Sequence, residues 1–190
     1  MTDNEAIKLI LEGDREKFGV LVEKYQQIVF RTVMGYLHNK DDADDLSQEV
    51  FIQVYQSLSR FRGESSFSTW IYRIAVNASL NRIRKSSENF LVRRFETLLG
   101  TDKKEEYVFT PADNEDPENI LIREEHLRWL QKALDSLPES QRTAIILSKY
   151  DDLPQKEIAE IMNLTEGAVE ALIQRAKKNL REKLSAGRKK

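Results

Sequence analysis

Cysteine is absent. That excludes disulfides, thiolate zinc sites, iron–sulfur clusters and cysteine nucleophiles together. Only two histidines occur, His38 and His126, far apart and in no metal-ligand spacing. Each is expected to be an isolated surface or satisfied side chain rather than a ligand. No GxxxxGK[ST] phosphate loop, GxSxG elbow or HExxH metal motif is present. Carboxylates are plentiful but fall on helix faces, so an enzyme is the weakest reading and no cofactor is expected. No apolar run approaches the roughly 20 residues that span a bilayer. The segment MTDNEAIKL is acidic, with neither a basic flank nor an apolar core. No signal peptide, no membrane insertion and a cytoplasmic location are therefore expected. Turn formers are scarce, with 7 glycines and 4 prolines in 190 residues. This points to helices rather than many short strands.

Charged residues make up 33% and hydrophobic ones 40%, the composition of a soluble, foldable chain. The length allows one domain or two small ones. Lys and Arg number 30 against 32 Asp and Glu, a net of −2. That average argues against a protein coated in positive charge for gripping nucleic acid. Charge is uneven, however: residues 1–85 are net 0, 86–120 net −5 and 121–190 net +3. The middle segment also holds Gly100, Pro111 and Pro117 without sustained periodicity, and its part TDKKEEYVFTPADNEDPEN reads as an exposed linker. Residues 90–99, FLVRRFETLL, are more apolar and read as a short helix or a docking segment.

The first module has helical periods. Thr2 and Glu5 form a capping box. Phe18, Leu21, Val22, Tyr25, Val29, Val33 and Tyr36 recur at three- and four-residue steps. Asp41 is a plausible N-cap for a helix with Leu46, Val50, Val54, Leu58 and Phe61 inside. Phe51, Ile52 and Tyr55 widen that stripe, as for a helix packed on two sides. A further helix begins near Phe67, buries Trp70, Ile71, Ile74, Ala75 and Ala78, and is expected to end around Ser86. In the second module Asp116-Pro117 opens a helix with Ile120, Leu127, Leu130 and Leu134 on its core face. Leu137-Pro138 and Asp152-Leu153-Pro154 open two more, and a fourth runs from Thr165 to about Leu184.

Residues 155–174, QKEIAEIMNLTEGAVEALIQ, have the grammar of a helix-turn-helix. Ala159 is small where two helices cross, Asn163 tolerates positive φ in the turn, and Thr165 caps the second helix. Such a second helix is commonly laid in a DNA major groove. A helical hairpin without a DNA role has the same spacing. Over 174–190 stand Arg175, Lys177, Lys178, Arg181, Lys183, Arg188, Lys189 and Lys190 against Glu182 alone. These are well placed for phosphates, although a basic tail can also be merely solvated.

Residues 65–87 hold Arg73, Arg82, Arg84 and Lys85 and no acid. Asn77, Asn81, Arg84 and Lys85 share one helix side, with Phe67, Trp70 and Tyr72 nearby. Amides, cations and aromatics suit single-stranded nucleic acid, but Phe67 and Trp70 fall on the apolar stripe and are assigned to the core. Just before lies DDADDLSQEVFIQVYQSL, whose Asp44, Asp45, Gln48, Glu49 and Gln53 cannot grip DNA. They form either a solvated face or a docking site for a basic protein.

The string DADDLSQEVFIQVYQSLSRFRGESSFSTWIYRIAVNASLNRIRK resembles region 2 of a bacterial RNA polymerase sigma factor of the extracytoplasmic-function (ECF, group 4, sigma-70-like) family. SLPESQRTAIILSKYDDLPQKEIAEIMNLTEGAVEALIQRAKKNLREKL resembles region 4 of the same family. The resemblance implies an all-α fold of two small helical domains joined by a linker: a region 2 bundle over 1–88, an acidic linker over 89–116, and a four-helix, helix-turn-helix region 4 over 117–190. It implies an alternative sigma factor that binds core RNA polymerase and promoter DNA and has no chemistry of its own. Asp44, Asp45, Gln48, Glu49 and Gln53 would contact the β′ clamp helices. The loop Arg62, Gly63, Glu64, Ser65, Ser66 and Phe67, with Asn77, Asn81, Arg82, Arg84 and Lys85, would capture the non-template strand of the −10 element in a base-flipping pocket. Thr165, Glu166, Gly167, Glu170, Ala171, Gln174, Arg175 and Lys178 would face the −35 duplex, and region 4 would also touch the β flap.

Glu170 and Leu172 stand where many relatives carry basic residues. Glu170 either accepts from a cytosine amino group or faces solvent, and Leu172 is assigned to packing. An anti-sigma partner is implied, and packing of the two modules on each other is the alternative way to hide their surfaces. An ordinary helix-turn-helix regulator is the second reading, and it leaves the acidic-then-basic order over 41–85 unexplained.

Overall fold

The computed structural model describes residues 1–98 and 127–187, with side chains over 1–86 and 127–185. Among the described residues there is no strand. The order is α1 (Asp3–Leu11), α2 (Phe18–Leu37), α3 (Lys40–Ser57), α4 (Phe67–Leu98), α5 (127–135), α6 (Glu139–Lys149), α7 (Gln155–Met162) and α8 (Glu166–Gly187). Short 3₁₀ turns at Arg15–Lys17 and Leu58–Arg60 lead into α2 and out of α3.

Local chemistry sets the helix ends. Thr2 and Glu5 exchange backbone and side-chain hydrogen bonds at the start of α1, the reciprocal capping box. α2 stops at His38, which adopts the left-handed conformation with φ 57°. α3 is capped by Asn39 rather than Asp41: the Asn39 side chain accepts from Asp42 N at 3.0 Å, and Asp41 already lies in the first turn. Both residue types can cap, and the extended backbone at Asn39 decides. α4 does not end near Ser86 but runs on to Leu98. Residues 116–120, where a further helix start was expected, lie outside the described residues. Pro138 and Pro154 sit at the N-cap positions of α6 and α7, one residue before the helix proper.

The first core is closed within α1–α4. Leu21, Tyr25, Val29, Val33, Leu46, Val50, Val54, Leu58, Phe67 and Ile71 are buried together. Phe51 joins them, whereas Ile52 and Tyr55 are 56% and 39% exposed, Tyr55 with its ring edge-on to Phe18 at 5.0 Å. The second core draws on both modules. Leu134, Leu137, Ile145, Ile146, Leu147, Ile158, Ile161, Val169, Ile173 and Ala176 cluster with Tyr36 of α2 and Tyr72 and Val76 of α4. Leu127 and Leu130, expected in that core, are 50% and 38% exposed. Full burial of side chains of the size of Val or Leu contributes about 1.5–3 kcal/mol each. The three borrowed residues are thus a sizeable part of what holds the second module in place.

Close approach explains a glycine in mid-helix. A Cβ on Gly35 would stand 2.9 Å from Ile146 Cγ2 and 3.5 Å from the Tyr150 ring. Glycine costs about 1 kcal/mol against alanine inside a helix, and here it lets α2 and α6 meet.

Candidate nucleic-acid and polymerase interface

Four aromatic rings form a platform at the end of the first module. Tyr25 meets Phe67 at 5.3 Å between centroids, Phe67 meets Phe61 at 5.5 Å, and Trp70 lies 5.3 Å from Phe61. The loop between the Leu58–Arg60 turn and α4 runs over this platform. Gly63 takes φ +72°, a conformation that L side chains rarely adopt. Ser66 caps α4, accepting from Thr69 N at 3.0 Å. Arg60, Phe61, Arg62, Gly63, Glu64 and Ser65 line one groove together with Trp70 and Arg73. Phe67 is buried, as the apolar stripe required, but Trp70 is only half-buried and lines this groove. Trp70 is the residue that sequence reasoning placed too firmly in the core. A repeat of Trp70, Arg73, Asn77, Asn81 and Arg84 at three- and four-residue steps was the available signal.

Asn77, Asn81, Arg84 and Lys85 are exposed on α4. Arg82 is held by Glu49 of α3 at 2.7 Å. One ion pair thus joins a residue expected at DNA to one expected at polymerase. Arg84 grips Glu139 of α6 with two hydrogen bonds, Nε to Oε1 at 2.8 Å and Nη2 to Oε2 at 2.5 Å. The guanidinium lowers the Glu139 pKa, and the carboxylate raises that of Arg84.

Asp44, Asp45, Gln48, Glu49 and Gln53 are all exposed on α3. Their alternation with buried Ala43, Leu46, Ser47, Val50 and Val54 follows the helical period. Asp44 and Gln48 border a groove between α2 and α3, floored by Val22, Phe30 and Phe51. Acidic and amide groups beside an apolar groove are suited to a basic, amphipathic protein surface.

α7 and α8 form the helix-turn-helix. Asn163 adopts φ 55° and ψ 48°, as the turn requires, and its backbone N–H bonds back to Glu160 O at 3.3 Å. Thr165 Oγ1 caps α8 by accepting from Ala168 N at 3.2 Å. Ala159 is buried where the helices cross, and Val169, Ile173 and Ala176 turn inward with Leu172 packed beside them. The opposite face presents Glu166, Gly167, Glu170, Gln174, Arg175 and Lys178 exposed, and Ala171 half-exposed. Arg188, Lys189 and Lys190 lie outside the described residues.

A buried arginine supports this module from behind. Arg142 donates to Leu134 O at 3.1 Å and to Asp135 O, the last carbonyls of α5. Among the described residues no group of three or more His, Asp or Glu side chains could hold a metal ion. Among them, too, no helix is long and apolar enough to cross a membrane.

The described residues thus define a helical bundle with an aromatic-floored groove, followed by a helix-turn-helix module. Residues 21–88 match the Sigma-70 region 2 model and 127–180 the Sigma-70, region 4 model. The chain is 33% identical over 184 residues to the ECF RNA polymerase sigma factor SigW of Bacillus subtilis, covering 97% of each. It is 35% identical over 190 residues to the ECF RNA polymerase sigma-E factor of Escherichia coli K12, covering 97% of this chain and 95% of that one. Among solved structures, CnrH in complex with the cytosolic domain of CnrY matches with a TM-score of 0.63 at 22% identity, covering 97% of each chain. The sigma factor RpoE in complex with the anti-sigma factor NepR from Bartonella quintana matches at 0.60 and 22%, covering 90% of this chain and 98% of that one. The chain belongs to the extracytoplasmic-function family of RNA polymerase sigma factors. It is accordingly a transcription-initiation factor and not an enzyme.

Proposed function

We propose that this sigma factor joins core RNA polymerase in the cytoplasm and directs initiation through two DNA surfaces, with functional bounds at 1–88 and 117–190. The α3 face of Asp44, Asp45, Gln48, Glu49 and Gln53 binds the β′ clamp helices. The loop from Arg62 to Phe67 and the α4 stripe of Asn77, Asn81, Arg82, Arg84 and Lys85 hold the non-template strand of the −10 element. A base flipped from a melting duplex enters the groove beside Trp70, where amides reach its edge and cations its phosphates. The outer face of α8, from Thr165 to Lys178, lies in the −35 major groove with its N-terminal residues at base edges. Region 4 also touches the β flap, the acidic linker leads toward the polymerase active-site and RNA-exit channels, and an anti-sigma protein covers the polymerase-binding face.

The observation that carries this reading is the open groove over the aromatic platform, continued by exposed amides and cations along one side of α4. The test is selection of DNA from a randomised pool of fragments with a premelted segment, using this protein reconstituted with core polymerase. Recovered fragments should share a motif in the melted non-template strand and a second motif in the upstream duplex. Asn77→Ala and Asn81→Ala should erase the first motif only, and Gln174→Ala with Arg175→Ala the second. Enrichment of a duplex palindrome by the protein without polymerase would favour an ordinary helix-turn-helix regulator.

A further inference from the structure

The two modules meet through contacts that belong to neither alone. Tyr36 of α2 is buried in the second core, and its hydroxyl donates to Thr143 Oγ1 at 2.7 Å. Arg73 of α4 donates to Glu160 O at 2.6 Å and Ile161 O at 3.3 Å, carbonyls at the end of α7. His38 Nε2 lies 3.3 Å from Asp135 Oδ1, and Arg84 clasps Glu139. Glu64 and Ser65 of the loop share a groove with Asn163, Thr165 and Glu166, at the N-terminus of α8. This arrangement cannot engage a promoter. The −10 and −35 elements are roughly 25 base pairs apart, about 85 Å at about 3.4 Å per base pair. Here the two surfaces meant for them border one groove. A helix entering the major groove N-terminus first also needs that end clear, and the loop stands beside it.

This contact must open before either surface can reach promoter DNA, and we propose that Asp151 is the latch that sets its strength. The proposal rests on the reading of both surfaces given above. Asp151 stands on the loop after α6 with its side chain fully buried against α2. Thr32 Oγ1 lies 2.9 Å from Asp151 Oδ2 and 3.0 Å from Ile28 O. A hydroxyl carries one proton, so it cannot donate to a carboxylate and a carbonyl at once. Asp151 Oδ1 has no hydrogen-bond partner. The nearest cation, Arg31 Nε, is 3.6 Å away on a half-exposed side chain. A protonated Asp151 resolves the conflict: it donates to Thr32 Oγ1, and Thr32 donates to Ile28 O.

The remaining charged and titratable groups around it are Asp152 on its own loop, Tyr36 on α2, Tyr72 on α4 and, beyond Tyr72, Glu157 on α7. Burial pushes the Asp151 carboxyl up to about 6, opposed by Thr32 and Arg31 and aided by Asp152. In the open state the loop faces water and the carboxyl titrates in the ordinary range. The closed state therefore binds more protons. Acid favours closure, and closure weakens as pH rises towards about 6 and is independent of this group above it. At neutral pH the buried charge keeps closure weak enough to be released by polymerase or DNA.

The absence of cysteine allows site-specific dye labelling. Dyes at Glu23→Cys on α2 and Lys183→Cys on α8, both exposed positions, report the distance between the modules by energy transfer. In the otherwise unaltered chain, transfer should rise as pH falls from neutrality to 5, the closing constant changing by up to about tenfold per pH unit below about 6. Asp151→Asn supplies an amide donor without charge, so transfer should stay high at every pH. Gly35→Leu wedges α2 from α6, and transfer should stay low. Arg73→Ala removes bonds made only across the contact and should lower transfer without touching either core. Helix content equal to the parent's by circular dichroism is the check that all three variants are folded. With core polymerase, half-maximal initiation should need severalfold less of the Gly35→Leu protein and severalfold more of the Asp151→Asn protein.

Equal transfer in the parent, Gly35→Leu and Arg73→Ala proteins would overturn the closed state. A parental pH profile retained by Asp151→Asn would overturn the latch. Changed transfer with identical initiation would overturn the resting-state role. No initiation by the parent itself would count against the function proposed above, and the transfer data would stand apart from it.

Discussion

The two cores differ in what they need from each other. The first is lined by α1 to α4 alone and carries its own aromatic platform. The second sets two short helices, α6 and α7 of 11 and 8 residues, against α8, and its buried cluster includes Tyr36, Tyr72 and Val76 from the first. Small modules bury too little surface to be firmly stable alone. The cheapest extra burial for the second module is therefore a face of the first, and that face adjoins both of the surfaces proposed for DNA. In the proposed reading, stability of the second module and access to promoter DNA are set against one another.

The sharpest way to break this asymmetry is to damage each core in turn. Ile158→Ala, at a fully buried site of the second core, should cost about 2–5 kcal/mol. Hydrogen exchange should show lost protection in α6–α8 with α2 and α3 unchanged. Ile71→Ala, equally buried in the first core, should lose a similar amount but reduce protection in both modules. Equal spreading of both lesions would mean a single shared core.

A smaller effect is expected from Tyr36→Phe, which keeps the ring and removes the donor to Thr143. The loss should be about 1 kcal/mol, read as earlier thermal unfolding of the second module with the first unmoved. Thr165→Ala removes the cap of α8 and should also cost about 1 kcal/mol, confined to that helix and to −35 binding. Smallest in stability is Glu139→Gln, whose carboxylate holds Arg84 at the surface. Melting should not move measurably, whereas the dye-labelled free protein should show slightly lower energy transfer, because one ion pair across the contact between the modules is lost.

Much of this was legible from residue order, because the information was local. The capping box at Thr2 and Glu5, the left-handed turn at Asn163 and the cap at Thr165 each involve neighbours within four residues. The periods of α2 and α8 mark their buried faces correctly. What covers a face is not local. Tyr36 was rightly placed on an apolar stripe, but its partner Thr143 is 107 positions away, and Asp151 is 119 from Thr32. Periodicity also cannot say how wide the covered sector is. Ile52 and Tyr55 flank the α3 stripe as closely as Phe51 does, yet both stay exposed, Tyr55 even with the Phe18 ring at its edge, and Leu127 and Leu130 are exposed too. The exposed faces of α3 and α8 were readable because exposed polar positions alternate with buried ones. Trp70 was not, since a half-buried ring at the edge of a core has the same spacing as a buried one.

The most direct test of the central claim is run-off transcription from a promoter library with core polymerase and this protein, at matched salt. The expected result is discrete transcripts whose start sites lie downstream of shared −10 and −35 motifs, lost when Asp45, Gln48 and Glu49 are replaced together by lysine. Transcription no greater than that of core alone, together with no association of the protein with core, would contradict it.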